Sequence, residues 1–464
     1  MYNINFNNKI CVFFIGIGGI SMSGMAELLH KNGFQVMGSD CKESNTTNHL
    51  KSLGITVFHG HDAQNITKDI NLVVYTAAVK SDNPEYQAAL QYEIPIMDRA
   101  ELIGQIMKNY SDSIAVAGTH GKTTTTSMLS LMLLEGNLDP TISVGGILPG
   151  INGNVHIGSS EHFITEACEY TNSYLKFRPK KSIILNVEAE HLDYFKTYEA
   201  VLQSFTDFAH LLPEDGTLVI NGEIDNYEMI TKNLNCKVLT YGVESTSNAS
   251  YDYMARNICY NEMGYGEYDL YVNGEFSSHI KLNVVGLHNI SNSLPAIALS
   301  LDLGVSTEHI QKALDKFTGT NRRFEYKGTV GGVTIIDDYA HHPTEIKATL
   351  TSAKRYPHKT LWCIFQPHTF SRTKAFFNEF VEALSLADKV VLADIYSASR
   401  EKDPGDISSL NIMEELVKMG TDVHYFHTFD EIEDYLLLNC TNGDLLITMG
   451  AGDIVSVGES LLGK

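Results

Sequence analysis

Short apolar runs, each followed by a turn and a segment of helical periodicity, recur along the whole chain. The first run covers residues 10–15, and a helix predicted over residues 22–32 ends at Gly33. The next run, residues 34–38, completes a strand–helix–strand unit. Because such units build a parallel, doubly wound sheet, we expect an α/β fold that binds ligands at the carboxyl ends of its strands.

The pattern divides the chain into three blocks, which we predict to be three domains. Residues 1–110 form a Rossmann-like N-terminal domain, residues 111–320 a central P-loop ATPase-like domain, and residues 321–464 a C-terminal Rossmann-like domain. The predicted strands of the last block end in polar clusters at residues 337–343, 366–374 and 450–453. These clusters lie where an α/β sheet binds its ligands.

The junction of a strand and a helix near Gly118 has the form of a phosphate-binding loop. A buried strand predicted over residues 114–117 stops at Gly118, and a helix follows from Lys122. The free N–H groups of a helix start attract anions, so Lys122 would reach the β- and γ-phosphates of ATP and Thr123 would bind Mg²⁺. The usual motif would place its first glycine at Val116. A threonine-rich helix cap with an incidental lysine is the alternative.

A second glycine-rich loop follows the first strand of the chain. Gly16, Gly18 and Gly19 fit a nucleotide fingerprint whose third glycine is replaced by Ser21. Asp40 occupies the position at which an acid would bind a ribose. A tight turn without a ligand is the alternative. Two phosphate loops in one chain favour two different nucleotides.

Further polar residues follow predicted strands of the central block. Glu166 offers an oxygen ligand for Mg²⁺, whereas His191 is a less usual ligand for that ion. Glu188 and Glu190, taken alone, are better explained as helix caps. A turn predicted over residues 285–292 carries His288, Asn289 and Asn292, whose amide and imidazole groups could bind the edge of a base.

Composition excludes several classes of protein. A net charge of −22 argues against a nucleic-acid partner, because phosphates would be repelled. The seven cysteines contain no Cys-x-x-Cys pair, which is typical of free thiols in a reducing cytoplasm. No apolar run approaches the length of a membrane-spanning helix, so we expect no membrane insertion.

Four motifs resemble those of the Mur ligases, the amide-forming ligases of peptidoglycan precursor synthesis. They are the phosphate loop at residues 118–124 and the segments at residues 288–292, 322–325 and 337–345. The resemblance covers essentially the whole chain, and it accounts for the unusual spacing of the phosphate loop.

Within the family, the chain is most similar to the members that add the first amino acid. The segments that carry this similarity are residues 16–24, 366–373 and 400–402. The resemblance implies that ATP, with Mg²⁺ or Mn²⁺, activates the lactyl carboxylate of UDP-N-acetylmuramate as an acyl phosphate, which L-alanine attacks. It thereby implies a role in cell-wall synthesis, cell shape and cell division. A related ligase that attaches a murein tripeptide is the alternative.

The resemblance also implies roles for individual residues. The ATP-binding set is Gly118, Thr119, His120, Gly121, Lys122, Thr123, Thr124, His288, Asn289, Asn292, Arg323 and Asp338. The metal set is Thr123, Glu166 and His191. The set for the uridine diphosphate is Gly16, Gly18, Gly19, Ser21, Ser23, Ser39, Asp40, His61 and Arg99, and the set for alanine is Tyr339, His341, His368 and Arg372. The catalytic candidates are Lys122, His191, Arg323 and His341.

One departure from the family pattern concerns the metal set. Cys168 stands where many relatives carry an aspartate, which removes one possible oxygen ligand.

Two other classes of protein remain open on sequence grounds. The front glycine loop alone would fit a dinucleotide-dependent dehydrogenase, and the phosphate loop alone would fit a non-catalytic nucleotide switch. The sequence sets neither the preference among alanine, serine and glycine nor the oligomeric state.

Overall fold

The computed structural model describes residues 3–76, 78–244, 250–397 and 401–464, which cluster into two compact units. The first unit contains residues 1–256, 270–278 and 292–316, and the second contains residues 257–269, 279–291 and 317–464. Arg400, which opens one of the family-like segments, lies outside the described residues. No helix among the described residues is both long enough and apolar enough to cross a membrane.

The front of the first unit is a parallel sheet flanked by helices. Its strands are β1 (Cys11–Ile15), β2 (Gln35–Asp40), β3 (Thr56–His59), β4 (Leu72–Tyr75) and β5 (Ile96–Asp98), and its helices are α1 (Ile20–Lys31), α2 (Asn45–Ser52), α3 (Pro84–Gln91) and α4 (Arg99–Met107). The strand order β3-β2-β1-β4-β5 places β1 in the middle. The predicted strand–helix–strand unit is therefore confirmed, with α1 starting two residues earlier than the sequence predicted.

The phosphate loop lies in the second sheet of this unit, between β6 and α5. Among its strands are β6 (Asp112–Ala117), β7 (Thr141–Leu148), β8 (Gly153–His156), β9 (His162–Ala167), β10 (Lys181–Ile184), β11 (Thr217–Asn221) and β12 (Lys237–Val243). The helices of this part are α5 (Lys122–Glu135), α6 (Leu192–Phe195), α7 (Tyr198–Ala209) and α8 (Tyr227–Thr231). The order β12-β11-β10-β6-β9-β7-β8 makes β9 and β10 the neighbours of β6. The ends of these three strands therefore meet beside the phosphate loop.

The next elements have residues in both units. They are β13 (Tyr253–Tyr260), β14 (Tyr265–Val272), β15 (Glu275–Val285) and α9 (Leu287–Asp302), and α10 (Thr307–Lys316) follows in the first unit. The sequence indicated a turn over residues 285–292. In the structure α9 already begins at Leu287, so His288 and Asn289 lie in its first turn and Pro295 lies inside the helix.

The second unit is built on another sheet. Its strands are β16 (Glu325–Val330), β17 (Val333–Asp338), β18 (Leu361–Phe365), β19 (Lys389–Leu392), β20 (Asp422–Tyr425) and β21 (Leu445–Met449). Its helices are α11 (Pro343–Ala353), α12 (Phe370–Ala375), α13 (Phe377–Leu384), α14 (Ser409–Lys418), α15 (Phe429–Asn439) and α16 (Val455–Leu461). In the order β16-β17-β21-β18-β19-β20, β16 is antiparallel to β17 and the later pairs are parallel.

The front and phosphate-loop sheets share one hydrophobic core. Its buried members include Ile103 and Met107 of α4 and also Phe163 and Tyr174, which follow the phosphate loop in sequence. The two regions approach closely at Gly104, where a Cβ atom would lie 2.1 Å from the carbonyl oxygen of Lys176. Any side chain at this position would clash with the backbone of Lys176, so only glycine allows α4 to pack this closely.

Candidate active site

Two glycines give the phosphate loop its course. Gly118 has φ of +149°, and a Cβ atom there would lie 2.8 Å from Cβ of Leu185. Gly121 has φ of +84°, and a Cβ atom there would lie 2.4 Å from Oδ1 of Asn292. Both positions exclude a side chain by conformation and by space. The structure thus places Asn292, expected on the base side, against the phosphate loop.

Asn186, which the sequence analysis did not single out, holds the tip of the loop. Its Oδ1 accepts a hydrogen bond from the backbone N–H of His120 at 2.8 Å, and its Nδ2 donates to the carbonyl of His120 at 3.1 Å. The backbone carbonyl of Asn186 also accepts from the N–H of Thr119. An asparagine directly after a buried strand was the available signal.

The ammonium group of Lys122 turns back onto its own loop. It donates to the carbonyl oxygens of Gly118 and Thr119 and, at 3.1 Å, to Oε2 of Glu169. Burial, the largest single influence, disfavours the charged form of Lys122. The charge and hydrogen bond of Glu169, together with Cys168 and Glu166, outweigh it, so the pKa of Lys122 is raised. Lys122 is therefore charged at neutral pH, as a phosphate-binding lysine requires.

Thr123 and Glu166 lie together, as the metal prediction requires. The Thr123 hydroxyl donates to Oε2 of Glu166 at 3.0 Å, and the backbone N–H of Gly145 donates to Oε1 at 2.6 Å. A hydroxyl and a carboxylate oxygen are hard donors, which suit Mg²⁺ or Mn²⁺. These two residues fit the metal that the family resemblance implies.

His191 is held in an unusual backbone conformation beside Glu169. Its φ is +54°, its Nε2 lies 3.6 Å from Oε1 of Glu169, and its ring lies 4.6 Å from that of Tyr170. The structure therefore links His191 and Lys122 through one carboxylate. No role for Glu169 could be predicted from the sequence.

In the front sheet, Asp40 and Arg99 organise the glycine-rich loop. Asp40 Oδ2 accepts from the backbone N–H of Gly18 at 2.9 Å, and its Oδ1 accepts from the N–H of Lys42 at 3.1 Å. Arg99 donates to the Ser21 hydroxyl at 3.0 Å. The predicted loop residues are thus brought together, with Asp40 hydrogen-bonded to the loop itself.

Ser39 and His61 share a buried partner that the sequence analysis missed. The Ser39 hydroxyl donates to Oε2 of Glu85 at 2.6 Å, and Nδ1 of His61 lies 2.7 Å from the same oxygen. Asn65 donates to the other oxygen at 2.7 Å, so the fully buried Glu85 is satisfied on both sides. Glu85 gave no signal in the sequence because it lies in a helix, away from any strand end.

The two adjacent arginines of the second unit have different surroundings. Arg322 donates to the fully buried Asp337 at 3.0 Å and to the carbonyl of Gly450 at 2.7 Å. Arg323 lies 3.6 Å from Glu345 and 5.4 Å from the ring centre of Tyr339. Arg322 is therefore part of the framework, and the more exposed Arg323 remains the candidate for phosphate binding.

The residues expected at the alanine end form one cluster in the second unit. The rings of Tyr339 and His341 lie 5.3 Å apart, and those of His341 and His368 lie 5.6 Å apart. Arg372 Nη1 lies 2.9 Å from Nδ1 of His368. Glu345 faces Nδ1 of His341 at 3.2 Å. The cluster offers a guanidinium group for a carboxylate and imidazole groups for an amine.

The other base-side candidates lie at the start of α9. Asn289 is buried, and its Nδ2 donates to the carbonyl of Val285 at 2.9 Å. His288 lies against Gly286, where a Cβ atom would be 2.5 Å from the imidazole Cε1. The Asn289 amide is therefore fixed in the first turn of the helix.

Asp338 is buried and accepts three hydrogen bonds within the second unit. They come from the backbone N–H groups of Ala340 and Phe324 and from the Thr349 hydroxyl. Burial raises the pKa of Asp338 to about 6, although the charge of Arg323 opposes the shift. These contacts shape the turn that carries Arg323 and Tyr339.

Asp338→Asn is expected to change how stability depends on pH. The folded protein binds the Asp338 proton more tightly than the unfolded chain, so the stabilisation is present at low pH and is lost as the pH rises through about 6. Between about pH 5 and pH 7.5, the wild-type free energy of unfolding should fall by about 1 kcal/mol relative to the variant. Urea unfolding at both pH values measures this difference. The exposed Asp434→Asn is the control, and parallel pH profiles for wild type and Asp338→Asn would contradict the assignment.

Comparison with known proteins gives matches along nearly the whole chain. Models of the Mur ligase family match in three parts: the catalytic domain at residues 12–111, the middle domain at residues 116–300 and the glutamate ligase domain at residues 322–452. The chain is 59% identical to a UDP-N-acetylmuramate–L-alanine ligase of Lachnoclostridium phytofermentans, and both chains are covered completely. It is 57% identical to the ligase of that name from Agathobacter rectalis, again over both full chains.

Solved structures also match this chain along nearly its whole length. The UDP-N-acetylmuramate–alanine ligase of Thermotoga maritima is 30% identical and has a TM-score of 0.82, with 98% of each chain covered. A murein peptide ligase of Psychrobacter arcticus, at 23% identity and a TM-score of 0.70, covers as much of both chains and shares the fold. The predicted three-domain α/β fold is therefore confirmed.

Proposed function

Since this chain belongs to the Mur ligase family, we propose that it is an ATP-dependent ligase that joins L-alanine to the lactyl carboxylate of UDP-N-acetylmuramate. The observation that carries this proposal is the 59% identity, over the full length of both chains, to a ligase named for these two substrates. The product would be a precursor of peptidoglycan, made in the cytoplasm and needed for cell shape and division. The boundaries between the three domains of the chain would lie near residues 110 and 320 of the sequence.

The reaction would proceed in two steps. A lactyl carboxylate oxygen attacks the γ-phosphorus of ATP, the bond to ADP breaks, and an acyl phosphate forms. The amine of L-alanine then attacks the acyl carbon, phosphate leaves with the bonding electrons, and the amine loses a proton. Since negative charge spreads over the phosphoryl oxygens, catalysis rests mainly on positioning and on compensating charge.

Residues of the sites described above would position the substrates and supply the compensating charge. Lys122 and the N–H groups of the phosphate loop bind the phosphates, and Arg323 compensates charge that develops on the γ-phosphate. Thr123 and Glu166, with His191, would hold a divalent cation, which supplies further positive charge there. Arg372 binds the carboxylate of alanine beside His368. His341 would take up the amine proton.

Phosphate release tests the substrate assignment. The purified chain with ATP, Mg²⁺ and UDP-N-acetylmuramate should release phosphate when L-alanine is added, and serine and glycine extend the panel. Release that depends on a murein tripeptide and not on L-alanine would overturn the proposal in favour of the recycling ligase. Release that requires neither acceptor would favour a nucleotide switch.

The front loop is expected to bind UDP-N-acetylmuramate and not NAD. Ser21 replaces the third glycine of the dinucleotide fingerprint and accepts a hydrogen bond from Arg99, and the chain has a second phosphate loop at Gly118. Calorimetry with each ligand should give heat for the UDP-sugar alone. Gly18→Ala places a Cβ atom 2.8 Å from Asp40 Oδ2 and should abolish that heat while leaving ATP binding intact. Comparable heat with NAD would favour the dehydrogenase.

A further inference from the structure

Glu169 is a buried carboxylate whose two oxygens face two different cationic side chains. The residue is 2% exposed and lies two positions beyond the end of β9. Its Oε2 lies 3.1 Å from Nζ of Lys122, and its Oε1 lies 3.6 Å from Nε2 of His191. One side chain therefore joins the lysine proposed to bind phosphate to the histidine proposed to bind metal.

The contacts of Lys122 leave it no spare hydrogen-bond donor. An ammonium group has three N–H bonds, and Lys122 directs them to two loop carbonyls and to Glu169. A phosphate oxygen can reach Nζ only by displacing one of these acceptors. Of the three, Glu169 alone carries a full charge, and that charge also repels the incoming phosphate.

We propose that Glu169 is a positioning residue that makes nucleotide binding depend on a divalent cation. The inference rests on the proposed function, because it takes ATP as the ligand of the phosphate loop. Without a cation, Glu169 retains Lys122 and opposes the phosphates. A cation held by Thr123, Glu166 and His191 would bring positive charge to the side of Glu169 that faces His191, which would compensate the carboxylate and release Lys122 toward the nucleotide.

The proposal predicts an unusual gain of binding on mutation. Glu169→Gln keeps the size of the side chain but removes its charge, so Lys122 loses its strongest partner and the phosphates lose a repulsive neighbour. ATP should then bind the variant about tenfold more tightly than the wild type in EDTA, because a like charge has been removed from a poorly hydrated site. In Mg²⁺ the difference should shrink, so the effect of Mg²⁺ on affinity is smaller in the variant.

Equilibrium titration of ATP, in EDTA and in Mg²⁺, tests this prediction. Glu169→Ala is a second variant with the same expected gain, which keeps the test decisive if the glutamine variant folds poorly. Glu161→Gln is the matched control, since it removes the same charge just before the opposite end of β9. Its affinity for ATP in EDTA should equal that of the wild type.

Each result has one meaning for Glu169. Tighter ATP binding in EDTA by both Glu169 variants, with Glu161→Gln unchanged, supports the proposal. Unchanged or weaker binding by both would overturn it and leave Glu169 as a packing residue. An equal gain in Glu161→Gln would also overturn it, because the effect would then be one of net charge. The titration requires no ligation, so an error in the substrates would appear in the phosphate-release assay instead.

Discussion

Replacing Lys122 with alanine is expected to lower the rate of ligation by ~10²-fold or more, because a fixed positive charge is lost where phosphoryl transfer develops negative charge. The structure gives this lysine a defined place, since it begins α5 directly after the left-handed Gly121. Its raised pKa keeps it charged across the neutral pH range. Steady-state phosphate release with UDP-N-acetylmuramate and L-alanine measures the loss.

The matched control for this variant is Lys312→Ala. Lys312 is exposed on α10, where it pairs with Glu308 one helical turn away, and such pairs contribute little to stability. Lys312→Ala should keep the wild-type rate, and circular dichroism should show that both variants are folded. Near wild-type ligation by a folded Lys122→Ala would show that the phosphate loop has been wrongly assigned.

Replacing each of the two adjacent arginines with alanine is expected to have a different effect: Arg322→Ala should lower stability, and Arg323→Ala should lower activity. Arg322→Ala should lower the free energy of unfolding by about 3 kcal/mol, because it leaves the buried Asp337 without its cation. Burial already raises the pKa of Asp337 despite Arg322, so this carboxylate is poorly stabilised even in the wild type. Thermal and urea unfolding measure the cost.

Arg323→Ala should instead preserve stability within about 1 kcal/mol, since its contact with Glu345 is long and partly exposed and Asp338 keeps its three hydrogen-bond donors without it. The variant should lower kcat more than it weakens ATP binding, because the guanidinium acts mainly as charge develops on the γ-phosphate. Steady-state kinetics paired with a nucleotide titration separates the two effects. Unchanged kcat with weaker ATP binding would limit Arg323 to ground-state binding, and a large loss of stability would reverse the assignments of the two arginines.

The strands and helices could be predicted from the sequence because the pattern that identifies each of them lies in consecutive residues. The apolar run of β1, the glycine turn and the periodicity of α1 are contiguous in sequence, so β1 and α1 were predicted to within a few residues. The start of α9 was missed because Gly286 suggested a turn, whereas packing continues the helix through Pro295. Propensity is a weak guide where tertiary contacts decide.

Site residues were predictable where they end strands of one sheet. Thr123 lies in the first turn of the helix after β6, and Glu166 is the last residue but one of the neighbouring strand β9, so their contact could be expected from topology. Hydrogen-bond partners that come from distant parts of the sequence were not predictable. Glu85 reaches Ser39 from a helix 46 residues later in the chain, and no local pattern signals that approach. Likewise, Arg322 and Arg323 are chemically identical, and only the direct ion pair of Arg322 with the buried Asp337 distinguishes their roles.

The core that joins the front sheet to the phosphate-loop sheet makes the two regions cooperative. Since α4 contributes Ile103 and Met107 to the same buried cluster as Phe163 and Tyr174, neither region can unfold without exposing apolar surface of the other. Amide hydrogen exchange should therefore show amides of both sheets becoming exposed in the same opening event, with the same free energy. Residues 1–110 cut out of the chain would leave the apolar residues Ile103 and Met107 of α4 uncovered and should aggregate more readily than the intact protein.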